Sequence, residues 1–166
     1  MRSKKLILVV LLSLGAAVAA HAQYPRAFGI RGGYGFEASY QHFVSDPHFL
    51  EFDLGYDMRG NGGFKLSTLY NFVIARPDWT RAGYWTWYLG LGASLGYLYN
   101  DILDDSYGRG FMIAACAGAG VEYCLFNHLG ISLDVRPSFG YHVGAKSFYG
   151  TKLLGLIPCL GVRYVF

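Results

Sequence analysis

The sequence predicts an all-β fold, an eight-stranded antiparallel up-and-down transmembrane β-barrel, and three observations carry that prediction. Aromatic residues make up 17% of the chain and charged residues only 15%, yet beyond the N-terminal segment no apolar run reaches the ~20 residues of a spanning helix. Apolar residues recur instead at every second position through segment after segment, the period of a strand whose two faces differ. Glycine, with 23 copies, collects on the opposite face and at the turns. A chain that crosses lipid in strands must close on itself, because lipid cannot satisfy the hydrogen bonds of an open sheet edge.

The N-terminus reads as a secretory signal: Arg2, Lys4 and Lys5 precede an apolar run over 6–20, and Ala20-His21-Ala22 is a small-x-small cleavage site. Residues 1–22 are therefore expected to be a cleaved signal peptide and 23–166 the barrel domain. The apolar run is short for a retained anchor, and no cysteine follows the cleavage site to take a lipid. Without the three basic residues, Lys+Arg falls from 14 to 11, equal to the 11 Asp+Glu. Nothing resembles the basic patch of a nucleic-acid binder, so no nucleic-acid partner is expected.

Alternation places eight strands. The first, over 26–33, sets Phe28 and Ile30 against Arg31, and the Gly32-Gly33-Tyr34-Gly35 run makes a tight turn. Over 36–43, Glu37, Ser39 and Gln41 share a face, and Ser45-Asp46-Pro47 turns the chain. Over 49–58, Leu50, Phe52, Leu54, Tyr56 and Met58 oppose Glu51, Asp53, Gly55 and Asp57; over 64–74, Leu66, Thr68, Tyr70 and Phe72 oppose Lys65, Ser67 and Asn71. The strand over 84–100 is the clearest. Trp85, Trp87, Leu89, Leu91, Ala93, Leu95, Tyr97 and Tyr99 form one wholly apolar side, with aromatics at both ends and aliphatics between. That order suits a lipid-facing strand with ring girdles at the two interfaces.

After a longer loop carrying Asp101, Asp104, Asp105, Tyr107 and Arg109, the strand over 111–125 opposes alanines and Ile113 to Cys116, Gly118, Gly120, Glu122 and Cys124. Residues 129–141 set Phe139 and Tyr141 on the apolar side and Asp134 and Arg136 on the other. A loop containing Gly144, Lys146 and Gly150 leads to the last strand, over 153–166, with Tyr164 and Phe166 opposite Gly161 and Arg163. Pro137 and Pro158 remove ladder donors, so bulges or distorted pairing are expected there. Cys116 and Cys124 share a strand ~27 Å apart at ~3.4 Å per residue, too far to bridge. Cys159 falls on a strand not adjacent to theirs. The three read as small buried side chains, and no metal spacing is present.

Periodicity alone does not say which face is inside, since a soluble barrel of the lipocalin kind packs its apolar face inward. The apolar faces, however, lack charge over complete strands, the opposite faces are rich in glycine, and the chain stops at Tyr164-Val165-Phe166. Apolar side outward is the expected arrangement. The lipid-facing girdle is then Trp85, Trp87, Tyr97, Tyr99, Phe139, Tyr141 and Tyr164.

The signal segment, the Trp85–Tyr97 stretch WTWYLGLGASLGY and the terminal YVF together resemble the small outer-membrane β-barrel family that includes OmpA-type and OmpX-type domains. The resemblance spans nearly all of 23–166 and implies residence in the outer membrane of a Gram-negative-type cell, with lipids and lipopolysaccharide around the barrel. It also implies that the barrel-assembly machinery reads Phe166. The loops here are shorter than those of the well-known members.

On this reading Arg31, Glu37, Glu51, Asp53, Asp57, Lys65, Glu122, Asp134, Arg136 and Arg163 form a polar network in the lumen. Charges in so narrow a space must pair, which favours a plug over a small passive pore. A lipid A-modifying enzyme ranks third. Some barrels of this kind use a Ser, a His and an acid, and His142 and Ser147 fall near the outer rim, but no His-x-Ser arrangement is present. Asp101, Asp104 and Asp105 lack the spaced Asp/Asn loop and later Glu of a Ca²⁺ site. No catalytic residue, cofactor or metal is therefore expected, and the role is read as structural or surface-interacting through the outer loops.

Overall fold

In a computed structural model the described residues are 26–33, 35–58, 62–99, 109–143, 147–150 and 158–166, with the backbone alone described at 98, 99, 109 and 147–150. The expected signal segment lies outside them. Ten strand segments follow in order: β1 (Arg26–Gly32), β2 (Gly35–Ser45), β3 (His48–Asp57), β4 (Gly63–Ala75), β5 (Gly83–Tyr99), β6 (Arg109–Leu125), β7 (Leu129–Val135), β8 (Ser138–His142), β9 (Ser147–Gly150) and β10 (Cys159–Val165). All pairings are antiparallel, the order around the sheet is β5-β4-β3-β2-β1-β10-β7-β6, and β6 pairs back to β5. The result is a closed eight-stranded barrel, because β7 and β8 make one stave and β9 and β10 another.

The prolines act differently from expectation. β7 and β8 are separated only by Arg136 and Pro137, and their pairing with β6 keeps a single register, from Leu125↔Leu129 to Met112↔His142. The Pro137 carbonyl still accepts the Ala117 N–H at 3.0 Å, so the lost donor costs one bond without shifting the strand. The last stave begins at Ser147, not at 153. Ser147–Gly150, expected in a loop, pair with Phe139–His142, and Pro158 stands just before β10. Arg109 and Gly110, also expected in a loop, open β6 opposite Tyr99 and Leu98.

Chain ends and turns sort to the two rims. Arg26 and Phe166 exchange both backbone hydrogen bonds, at 2.9 and 2.7 Å, so the start of the first strand and the end of the last sit on the rim that also carries the β2–β3, β4–β5 and β6–β7 turns. The last of these places Phe126 and Asn127 at φ 50° and 60°. Asn accepts that left-handed region readily and Phe does so only under local constraint, here the hydrogen bond from Phe126 N–H to the Ala82 carbonyl at 3.1 Å. The opposite rim, which we call distal, begins at the Gly33 turn.

Strand parity divides the side chains. Ile30, Leu54, Phe64, Leu91, Phe139 and Leu160 stand on the outer wall, each more than half exposed, while Arg31, Glu51, Asp53 and Arg163 inside are at most 2% exposed. The core of this barrel is polar, and its apolar surface is outside. Near the terminal rim Ala27, Cys124, Val165 and the partly buried Tyr84 form an apolar floor beneath the charges.

Candidate functional site

The lumen holds the chemistry of the chain. Its hub is Glu51 on β3, whose carboxylate receives Arg163 on Oε1 and Arg136 on Oε2, the latter at 2.8 Å, with Arg31 Nε 3.9 Å away. Ser39 and Asn71 donate to the same two oxygens at 3.1 and 3.2 Å. Three guanidiniums around one fully buried carboxylate need other anions, and neighbouring strands supply them. Arg136 also binds Asp53 and lies 3.1 Å from Asp134. Arg31 binds Asp134 at 2.5 Å and Glu37 at 2.8 Å. Arg163 donates to Glu122 at 2.9 Å and to Ser132 at 2.8 Å. Nearer the distal rim Lys65 joins Glu37 at 3.2 Å and Asp57 at 3.9 Å.

These contacts link β1, β2, β3, β4, β6, β7 and β10 across the barrel. Arginine suits the task, since its planar fork can address two or three carboxylates at once. Such a cluster is stable only when nearly every charge is engaged, because an unpaired buried ion costs several kcal/mol. Tyr88, Gln41, Asn71, Ser39 and Ser132 complete it, Tyr88 by donating to Asp134 at 3.1 Å and Gln41 to Glu122 at 3.3 Å. None of these five was expected as a site residue, although the parity that turns Arg31 inward turns them inward too. Toward the distal rim a recess lined by Arg31, Glu37, Lys65, Arg136 and Cys159 leaves about 20 Å³ for water, little more than one molecule's room.

The other expected sites fall as follows. Trp87, Tyr97, Phe139, Tyr141 and Tyr164 are exposed on the outer wall. Trp85 is covered by Trp79 and Tyr123, with ring centroids 5.9 and 4.8 Å away, and the side chain of Tyr99 is outside the described residues. So are Asp101, Asp104, Asp105 and Tyr107, and the side chain of Arg109. Phe166 ends the ladder opposite Arg26 and its ring stacks on Tyr164 at 6.4 Å. His142 faces inward, 6% exposed and opposite Met112, and its Nε2 meets no hydrogen-bond partner among the described residues. Among those residues no group of three or more His, Cys, Asp and Glu is arranged to hold a metal ion.

No protein-family model and no curated protein matches the sequence. Solved structures do. The N-terminal β-barrel domain of Pseudomonas aeruginosa OprF aligns with a TM-score of 0.63 at 19% identity, covering 86% of this chain and 96% of that one. Neisserial surface protein A (NspA) aligns at 0.45 and 9% identity over 86% of this chain and 91% of its own, and the outer membrane enzyme PagL at 0.38 and 18% over 87% and 99%. Identity this low speaks for fold alone, and only the first alignment is close enough to carry weight. The closed antiparallel barrel and that alignment together give this chain the fold of the small eight-stranded outer-membrane β-barrels.

Proposed function

We propose that this chain is a non-enzymatic barrel of the outer membrane of a Gram-negative-type cell, its lumen plugged by its own ion pairs, with a structural or surface-interaction role exercised through the distal loops. The observation that carries the reading is the inversion of polarity, with Glu51 fully buried among three arginines and Leu91 64% exposed on the outside. In water that arrangement would be costly twice over, whereas in lipid the apolar wall is solvated and the charges are sheltered. From Trp87 to Tyr97 the outer face of β5 rises about 25 Å at the usual tilt, the height of the apolar band of such barrels. The termini would then face the periplasm, the girdle of rings would sit at the lipid interfaces beside phospholipid and lipopolysaccharide, and Phe166 would be read by the barrel-assembly machinery. The lumen cations and carboxylates engage one another, which favours a plug over a small passive pore.

The test is mobility on a detergent gel with and without boiling, followed by conductance in planar bilayers. A compact unboiled band and no steady conductance are expected. Recovery as a soluble periplasmic protein would overturn the membrane reading, and sustained single-channel currents from the wild type would replace the plug with a pore. Unchanged lipid A mass spectra in a His142→Ala strain are expected from a barrel that is not a lipid A enzyme; a changed spectrum would reverse that assignment.

A further inference from the structure

The first and last strands meet at the β1–β10 seam, and one short motif stands on both sides of it. β1 carries Gly29-Ile30-Arg31 and β10 carries Gly161-Val162-Arg163. The antiparallel register sets them head to tail: Gly29 faces Arg163, Ile30 faces Val162, and Arg31 faces Gly161. Because Arg26 and Phe166 exchange both backbone hydrogen bonds, alternation puts the two Gly–Arg pairs at non-hydrogen-bonded positions, where facing Cα atoms approach to about 4.5 Å. A side chain on either glycine would crowd the arginine opposite. A Cβ built on Gly161 lies 2.5 Å from Ser132 Oγ and 3.2 Å from both Arg31 Cγ and Arg163 Nη1, and one built on Gly29 meets the Val162 carbonyl oxygen and lies 2.6 Å from Arg163 Cα.

With glycine below, each guanidinium passes over the partner strand and takes hold beyond it. Arg31 leaves β1, crosses β10 and binds Asp134 on β7 at 2.5 Å, while keeping Glu37 of its neighbour β2. Arg163 leaves β10 and crosses β1 in the other direction. It donates to Ser39 on β2 at 3.1 Å and binds Glu51 on β3, while keeping Ser132 on β7 and Glu122 on β6. Each arginine thus grips both sides of the seam.

We propose that the two facing Gly-x-Arg motifs are the lock of the barrel, crossed arginines that fasten the first strand to the last and make closure of the wall and completion of the lumen network one event. Opening the seam would part Arg31 from Asp134 and Arg163 from Glu51 together, leaving buried charges unmatched on both edges. Closure is accordingly all-or-none, and the seam is not a lateral exit from the lumen. The inference rests on the fold and stands apart from the proposed role.

Hydrogen exchange on the folded protein in detergent micelles tests it. In Arg31→Gln/Arg163→Gln, amides of β1 and β10 should exchange at least tenfold faster than in the wild type, and those at the centres of β4 and β5 less than twofold faster. Lys65→Gln, which loses ion pairs running from β4 to β2 and β3 on one side of the seam, should not single it out. Acceleration spread evenly over all strands, or none at the seam, would overturn the lock. Should the double variant not fold, Phe28→Cys/Tyr164→Cys is added to it under oxidising conditions. These positions face one another in register, and a facing pair at a Cα separation of about 5.5 Å accepts a disulfide. Return of the heat-modifiable band supports the lock, and no return overturns it.

Discussion

The β5–β6 hairpin and the β1–β10 seam are joined by very different means. In the hairpin, two strands of 17 residues each, consecutive in the chain, face one another along their whole length. At the seam the register runs from Ala27↔Val165 to Gly32↔Leu160, between strands of 7 residues whose facing positions lie well over a hundred apart in the chain. Bringing such distant segments together costs about 2 kcal/mol more loop entropy than closing the hairpin. The interiors differ to match. The inward side of β5 holds Tyr84, Thr86, Tyr88, Ser94 and glycines and no formal charge, whereas β1 and β10 each turn an arginine inward. A long local ladder holds itself, and a short non-local one is tied by side chains that reach across the lumen.

That contrast can be broken from either side. The largest effect is expected at the hub of the ties. Glu51→Leu leaves three guanidiniums short of a partner and should cost about 3–5 kcal/mol, read as a lower urea midpoint in micelles and loss of the compact unboiled band. Next comes the outer wall, on which the comparison depends for its solvent. Leu91→Arg should cost about 2–4 kcal/mol in vesicles if that wall faces the middle of a bilayer, and an unchanged midpoint would place the wall in water. Smaller again is overpacking of the hairpin. A Cβ on Gly120 lies 2.5 Å from Asp134 Cβ and 2.7 Å from the Tyr88 hydroxyl, so Gly120→Val should cost about 1–3 kcal/mol by urea unfolding. The smallest is the loss of one uncharged contact of the hairpin with its neighbour: Ser94→Ala removes the 2.8 Å bond from β5 to Ser67 on β4 and should cost about 1 kcal/mol. A Ser94→Ala effect as large as that of Glu51→Leu would dissolve the distinction between the two regions.

Much of this architecture is legible in the chain because a strand has a period of two. Parity alone turns Leu50, Phe52 and Leu54 one way and Glu51 and Asp53 the other, and the same rule runs through β4, β5 and β6. What parity lacks is register between strands distant in sequence. Arg31 and Asp134 are separated by 103 positions, and nothing near either residue names the other. The facing of Gly29 with Arg163 has the same origin. The stave formed by β7 and β8 shows a different limit, since a proline predicts a lost donor but not whether the ladder absorbs it. Ser147–Gly150 read as a loop because Gly144, Lys146 and Gly150 are turn chemistry, and pairing with β8 overrode that preference. Parity turns the five uncharged partners of the network inward, Ser39, Gln41 and Asn71 among them, but a hydroxyl or amide without formal charge gives no sign in the sequence of which carboxylate or arginine it will meet.

The three cysteines add a property of their own. Cys116, Cys124 and Cys159 form no disulfide and are buried, at 7%, 1% and 7% exposure, all on the inner side of the wall. While the barrel is closed, alkylating reagents in water meet no accessible thiol, and the side chains cannot reach one another to be oxidised as a pair. Once the strands part, all three become reactive together. The molecule therefore carries its own chemical clock, in which the rate of thiol capture by a maleimide counts openings of the wall in a native membrane without any added probe.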